Sequence, residues 1–312
     1  MRPRRDGFLA DTEPVRALSV IMASHNGQAT LPRVLEALGD CDMTDLDVEF
    51  IMTDNASSDN TKQLMQGFLE KRTGRLIHEP KAGKSFALNA ALPAARGDLI
   101  VFLDDDAIPV SGWLQAFRKA ADRYPEGAVF VGQVRPCFSV PPPAWMQRLS
   151  DRGMSFAATP IALAEGPCDP GLVKGLNWAC RASALNGVQF DELNNNLLAA
   201  GLRVGGQDTE MARRLCAGGK TAIFVPASLT GHIVRREEAS MTAILERYRR
   251  IGRGVEAQRH KAHQSTLRLL VEIMTLVPAG TLAWLLCRRT DAAALLIRAA
   301  MRVGRLDMRW RK

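Results

Sequence analysis

The sequence predicts an α/β protein, a mostly parallel sheet covered by helices on both faces. Three observations carry this reading. From residue 17 to residue 123, short apolar runs alternate with stretches of helical period, the pattern of successive βα units in a parallel sheet. The runs end in polar or acidic clusters, and in open α/β sheets the carboxyl ends of the strands form the rim where ligands bind. A chain of 312 residues with 46% hydrophobic content also has enough apolar surface for a real core, which excludes global disorder.

Residues 1–16 read as a flexible leader, basic but lacking the apolar stretch of a signal peptide. ALSVIMA (17–23) is a buried strand stopped by SHNG, and a helical pattern covers 29–39. DVEFIMTD (47–54) is the second strand. SSDNTKQLMQGFLEKR (57–72) opens on capping residues and continues with helical spacing. RLIHE (75–79) is a third strand, KSFALNAALPAARG (84–97) a helix closed by glycine, DLIVFLD (98–104) a fourth strand and SGWLQAFRKAADR (111–123) a helix. Beyond 130 the period loosens. PCFSVPPPAW (136–145) is a proline-rich loop, and 146–170 reads as a mobile segment able to cover a site. GLNWACRAS (175–183) is strand-like, DTEMARRLCAGG (208–219) is a helix, TAIFVP (221–226) is a strand, and from 239 onward the pattern is helical. The chain divides into the leader 1–16, a domain over 17–235 with halves at 17–135 and 136–235, and a helical extension over 236–312.

Six scattered cysteines without a CxxC pair exclude a cysteine zinc site and a small disulfide scaffold, and read as reduced thiols. The net charge of +8 is uneven: residues 231–312 hold 17 Lys/Arg against 7 Asp/Glu, leaving the rest of the chain slightly acidic. The basic quarter either meets an anionic surface or is a solvated face.

LIVFLDDDAIP (99–109) runs from an apolar strand into Asp104, Asp105 and Asp106. Like charges crowded at a strand end repel and call for a cation or for donors. Asp104 and Asp106, two apart, share a face and suit a hard divalent ion such as Mg or Mn; an acidic turn is the plainer alternative. Asp54 closes its strand on the same rim and reads as a ligand group or as a cap. EPKAGKS (79–85) fails as a P-loop because His78, not Gly, stands five before Gly83, yet Lys84 at a helix start can still meet a phosphate or simply be solvated. Asp208 near the start of a helix is explained equally well by capping. His232 after a strand is structural or a ligand.

The series SVIMASHNG, IMTDNASSDNT, KAGKSFALNAALPAARGD, VFLDDDAIP and GGQDTEMARRL resembles the family 2 glycosyltransferases of the GT-A fold over residues 17–235. The resemblance implies a Rossmann-like three-layer sheet and an inverting transferase using a nucleoside diphosphate sugar and divalent Mn or Mg. It makes 17–135 the nucleotide-sugar half and 136–235 the acceptor half. Carried onto this chain, it gives Asp106 and His232 to the metal, and Asp104 and Asp105 to ribose, sugar or metal-bound water. Asp54 would meet the base, Ala23, Ser24 and Asn26 would line the nucleoside, and Lys84 and Asn89 would approach the nucleotide. Asp208 becomes the general base, although Gln207 stands where the family often has Glu. Asn177 and Trp178 are expected at the acceptor. Uridine is the favoured base and a lipid-linked or polysaccharide hydroxyl the acceptor, as in synthesis of cell-envelope polysaccharide.

Between Glu272 and Arg288 lie 15 uncharged residues, about 22 Å of helix against a bilayer core of about 30 Å. Pro278 and Gly280 interrupt them. This predicts an interfacial or re-entrant helix pair, with the arginines beyond 290 and Trp310 facing anionic lipid; packing on the core or in a dimer is the alternative. The expected location is cytoplasmic, peripheral at the cytosolic membrane face, with the oligomeric state left open. Nucleic acid is not an expected partner, since the tail has only Tyr248, Trp284 and Trp310 to stack on bases. The competing function is a metal-dependent nucleotidyl- or phosphotransferase on a similar sheet, for which ASHNGQATL is a poor phosphate loop.

Overall fold

A computed structural model describes residues 15–192, 204–257 and 265–309; the leader up to residue 14 and Trp310 lie outside them. In chain order the elements are β1 (Ala17–Ser24), α1 (Leu31–Gly39), β2 (Asp47–Asp54), α2 (Thr61–Leu69), β3 (Gly74–His78), α3 (Lys84–Ala91), β4 (Leu99–Leu103), β5 (Ala107–Pro109), α4 (Trp113–Arg123) and β6 (Gly127–Phe138). They continue with α5 (Ala144–Asp151), β7 (Gly166–Cys168), β8 (Asn177–Arg181), α6 (Ala182–Leu185), α7 (Gln207–Leu215), β9 (Thr221–Val234), α8 (Met241–Ala257), α9 (Thr266–Leu285) and α10 (Arg289–Arg309).

The strands of the described residues form one sheet in the order β3-β2-β1-β4-β8-β6-β9-β5, with β7 also on β9. β1, β2, β3 and β4 are parallel, β8 is inverted between β4 and β6, and β6 and β9 run parallel to each other. Strand alternation sends β1 side chains to two cores. Val20 and Met22 pack with Val34 of α1, Met65 of α2 and Phe117 of α4. Ile21 packs on the other face with Leu88 of α3 and Met211 of α7. The predicted three-layer architecture is therefore present.

Two strands run longer than the sequence suggested. β6 starts before the period loosens and continues to Phe138, and β9 extends beyond 226 to Val234, with register shifts against β6 that let polar residues enter the sheet. The helix expected over 84–97 ends at Ala91; Pro93 tightens the next turn into a 3-10 helix, Leu92–Ala94. The segment 146–170 begins with α5 and is fastened at several points. Tyr248 donates its hydroxyl to the Met154 carbonyl at 2.6 Å, and Arg135 reaches the Thr159 carbonyl at 2.9 Å.

The C-terminal helices share a core with the end of the sheet: Trp145, Phe156 and Val234 pack with Ile244 of α8 and Ile297 of α10. α8 and α10 approach closely through glycine, since a Cβ at Gly304 would overlap the Arg249 carbonyl and one at Gly252 the Met301 carbonyl. The arginines expected to face lipid are largely engaged within this bundle. Arg302 pairs with Glu272 at 2.8 Å, and Arg305 and Arg309 both pair with Glu256, at 3.1 and 2.6 Å. The predicted break at Pro278 is also absent. α9 is one 20-residue helix, long and apolar enough by length and composition to cross a membrane, and only 11% of its apolar window is buried.

Candidate active site

The site is assembled at the carboxyl ends of β1, β2 and β4. Ser24 and Asp54 are register partners at the ends of β1 and β2, and Asp104–Asp106 follow β4 directly. Ser24 donates its hydroxyl to Asp105. Burial, and then repulsion from Asp106, push Asp105 up to about 7 against that hydrogen bond. Asp54 is buried; it accepts from the Ser57 amide at 3.3 Å and lies 3.1 Å from His78 Nδ1. Ala23 is half-buried beside it. Asn26 adopts a left-handed backbone with φ 55° and uses its side-chain oxygen to hold the Ser58 amide at 2.9 Å. These residues thus form one continuous rim.

Lys84, the first residue of α3, reaches across the cleft. Its Nζ lies 2.6 Å from Asp104 Oδ1 and 3.2 Å from Asp208 Oδ2. Burial works against its charge, but the two carboxylates outweigh burial and hold the ammonium above its ordinary range. The lysine read as a phosphate contact is therefore first a bridge between the acidic triplet and α7, with one of its three donors left over.

Asp208 does not cap its helix. The residue before α7 is Gly206, and no side chain caps that end. Asp208 Oδ2 faces Lys84 while Oδ1 is buried without a hydrogen-bond partner. Gly175 makes this close packing possible, because a Cβ there would overlap both the Asp208 carboxylate and the Lys84 ammonium. Glu210, the neighbouring candidate on α7, is held outward by Arg214 at 2.5 Å.

On the other side of the triplet, His232 of β9 approaches Asp106, with Nε2 3.4 Å from Oδ2. His232 Nδ1 donates to the Phe156 carbonyl at 2.8 Å, which fixes the tautomer and turns the Nε2 lone pair toward the carboxylate. Two acceptors facing each other are held by a proton or by a metal ion. Asp106 Oδ1 is also buried and without a hydrogen-bond partner. Among the described residues no group of three or more His, Cys, Asp or Glu converges on one point. A metal here would have two protein ligands, Asp106 and His232, leaving positions open for phosphate oxygens or water. The donor set fits a hard divalent ion.

Three expectations are corrected. Asn177 is fully buried; its amide accepts from Trp113 Nε1 at 2.8 Å and donates to the Gln133 and Ser228 carbonyls, both at 2.8 Å. It satisfies backbone groups between strands and cannot meet an acceptor. Trp178 is also fully buried and stacks on Phe102 with ring centroids 4.2 Å apart. Asn89 is committed to Phe190, donating to its carbonyl at 2.9 Å and accepting from its amide at 2.8 Å, so it anchors a loop and does not reach a nucleotide. Trp178→Ala is expected to cost about 3–5 kcal/mol of stability, the usual range for an aromatic-to-alanine change in a core. Chemical denaturation measures this; wild-type stability with lost acceptor affinity would restore the acceptor role.

Sequence reading missed part of the lining of the site. A cleft of about 570 Å³ is lined by Lys84, Asp104, Asp106 and Asp208 and also by Lys174, Arg247 and Tyr248. α8 and Met301 of α10 line it as well, so the C-terminal helices form part of the site. No local motif marks these residues; the packing of α8 brings in Arg247 and Tyr248, and the loop before β8, tied to α7 by Thr209, brings in Lys174.

The profile of Glycosyl transferase family 2 matches residues 19–181. The chain is 34% identical over 109 residues to the GalNAc(5)-diNAcBac-PP-undecaprenol beta-1,3-glucosyltransferase of Campylobacter jejuni, covering 34% of each protein. It is 33% identical over 98 residues to the UDP-Glc:alpha-D-GlcNAc-diphosphoundecaprenol beta-1,3-glucosyltransferase WfgD of Escherichia coli, covering 31% of this chain and 38% of that protein. The chain thus spans little more than a third of the length of these curated relatives. A mannosyltransferase from Pyrobaculum calidifontis, solved with GDP-Man and Mn2+, superposes with a TM-score of 0.63 at 19% identity, over 95% of this chain and 87% of that one. The fold is that of the GT-A glycosyltransferases, and with the family profile covering more than half of its residues the chain belongs to glycosyl transferase family 2.

Proposed function

We propose that this chain is an inverting, metal-dependent hexosyltransferase. It moves a sugar from a nucleoside diphosphate sugar, with UDP favoured, to a hydroxyl of a lipid-linked or polysaccharide acceptor. The observation that carries the reading is the Lys84 bridge. It sets a carboxylate with an unengaged oxygen, Asp208, across one cleft from Asp104 and the Asp106–His232 pair. The donor lies along the rim from Asp54 to Asp105, and Lys84 keeps its spare donor for the diphosphate. Asp106 and His232 hold the divalent ion, which when bound neutralises charge on the departing diphosphate. The acceptor oxygen attacks the anomeric carbon from the opposite side, its proton passes to Asp208, and the bond to the diphosphate oxygen breaks. One displacement inverts the anomeric centre.

Two relatives act, by name, on undecaprenyl diphosphate-linked glycans and one of them uses UDP-Glc, which supports the same acceptor class and donor here. The test is transfer of labelled sugar from a panel of nucleoside diphosphate sugars into butanol-extractable lipid, with Mn present. Label in the organic phase supports the reading; label recovered only in water-soluble polymer selects the polysaccharide acceptor, and none in either fraction refutes it.

The proposed site of action is the cytosolic membrane face, with α9 lying in the interface. Leu267, Met274, Leu282 and Leu285 are between 58% and 74% exposed on α9, an apolar surface with no partner among the described residues. Because Arg302, Arg305 and Arg309 of α10 are engaged in ion pairs, apolar contact should contribute more than charge. Met274→Glu with Leu285→Glu is therefore expected to abolish flotation with liposomes while leaving the melting temperature unchanged. Retained flotation would move the binding surface elsewhere.

A further inference from the structure

Besides Lys84, the cations lining the cleft are Lys174, Arg213, Arg247 and Arg250, and none has a role in the transfer step described above. Lys174 stands between the 3-10 turn Pro170–Leu172 and β8, and Arg247 lies within α8. Both are half-buried and both line the cleft that holds Asp106 and Asp208. Neither side chain makes a hydrogen bond or ion pair with any described residue. Their neighbours on α8 do: Arg249 and Arg253 both pair with Asp307, at 2.7 and 2.9 Å. Burial, and then repulsion from Arg247, push the Lys174 ammonium down to about 8. Arg247 lies within the field of Asp106, a carboxylate that already faces His232. Like charges held partly out of water without counter-ions are costly, and an arriving anion removes that cost.

The position of Lys174 indicates which anion. Its loop is tied to α7 by Thr209, whose hydroxyl donates to the Val173 carbonyl at 3.2 Å. The next residue, Gly175, packs directly on the Asp208 carboxylate. An anion on Lys174 therefore sits beside the group that receives the acceptor's proton. The donor diphosphate is already served by Asp106, His232 and Lys84.

We propose that Lys174 and Arg247 form a phosphate subsite for the acceptor, holding the phosphate or diphosphate of a lipid-linked acceptor while its sugar hydroxyl meets Asp208. This rests on the transferase reading and narrows its acceptor to a phosphate-bearing one. Cationic side chains in a shielded cleft favour such a group through charge-assisted hydrogen bonds.

The probe is geranyl diphosphate, titrated by calorimetry into the full chain with and without saturating Mn–UDP; inorganic pyrophosphate and geraniol are the comparison ligands. Geranyl diphosphate is expected to bind alongside Mn–UDP and more tightly than either comparison ligand. Lys174→Gln and Arg247→Gln should each weaken it by about tenfold or more, as for a lost charged hydrogen bond. Mn–UDP affinity should stay within about twofold, and melting temperatures should not fall, because neither side chain has a hydrogen-bond or ion-pair partner among the described residues. Displacement by Mn–UDP, or equal loss of Mn–UDP affinity in the variants, would assign the cations to the donor and overturn the proposal. So would unchanged binding in both variants, or pyrophosphate binding as tightly as the prenyl ester. If the wild type binds geranyl diphosphate through these two residues but no nucleotide, the subsite stands and the donor reading fails.

Discussion

Asp208→Asn is expected to lower sugar transfer by about 10²–10⁴-fold, the usual loss for a general base, while donor affinity and melting temperature stay near wild type. The carboxylate receives the acceptor's proton, and an amide cannot. Asparagine keeps the shape of the side chain and can still accept a hydrogen bond from Lys84, which retains Asp104 at 2.6 Å. Because Asp208 caps nothing, no cap is lost. The companion variant is Glu210→Gln, which breaks only the partly exposed i,i+4 pair with Arg214, worth roughly 0.3–0.5 kcal/mol, and should transfer normally. Single-turnover rates and separately measured donor affinities check both. Near-normal transfer in the Asp208 variant with loss in the Glu210 variant would reverse the assignment.

Asp106→Asn should remove the metal-dependent part of nucleotide affinity and leave the fold intact. Asp106 Oδ1 has no hydrogen-bond partner to lose, so the amide substitution disturbs little within the protein. It does remove half of the proposed ligand set, and the expected loss of Mn affinity is about 100-fold or more, since even an outer partner of a metal ligand is worth 10–100-fold. His232→Ala should act in the same direction. Calorimetry with UDP, with Mn and after chelation, reads the effect. Unchanged Mn-dependent affinity in the Asp106 variant would remove it from the metal site.

The parts of the fold that were legible in the sequence are those where local pattern and burial agree. DVEFIMTD matches β2 residue for residue, because its central run Phe50–Met52 is apolar and buried within the parallel sheet and its last carboxylate marks the rim. The acidic triplet was legible for the same reason: charges directly after LIVFL have nowhere to go but the sheet edge. β9 was cut short because a bulged strand carries polar residues such as Ser228 and Thr230 inside the sheet. Asn177 misled because a buried amide satisfying two carbonyls and an indole looks, in sequence, like an exposed polar group. The α10 arginines misled in the opposite sense, since their carboxylate partners Glu256 and Glu272 lie on other helices. Lys174 and Arg247 had no local signal at all, because tertiary packing brings them to the cleft: the docking of α8 for Arg247 and the tie of the loop before β8 to α7 for Lys174.

In the proposed transfer the bond broken lies between sugar and diphosphate, with inversion. Phosphorus NMR of the nucleotide product, with proton NMR of the new anomeric centre, tests it most directly. The expected result is release of the nucleoside diphosphate and a β-linkage from an α-linked donor sugar. Release of pyrophosphate or nucleoside monophosphate would place the reaction at phosphorus, and a retained anomer would remove Asp208 from its role as base in a single displacement.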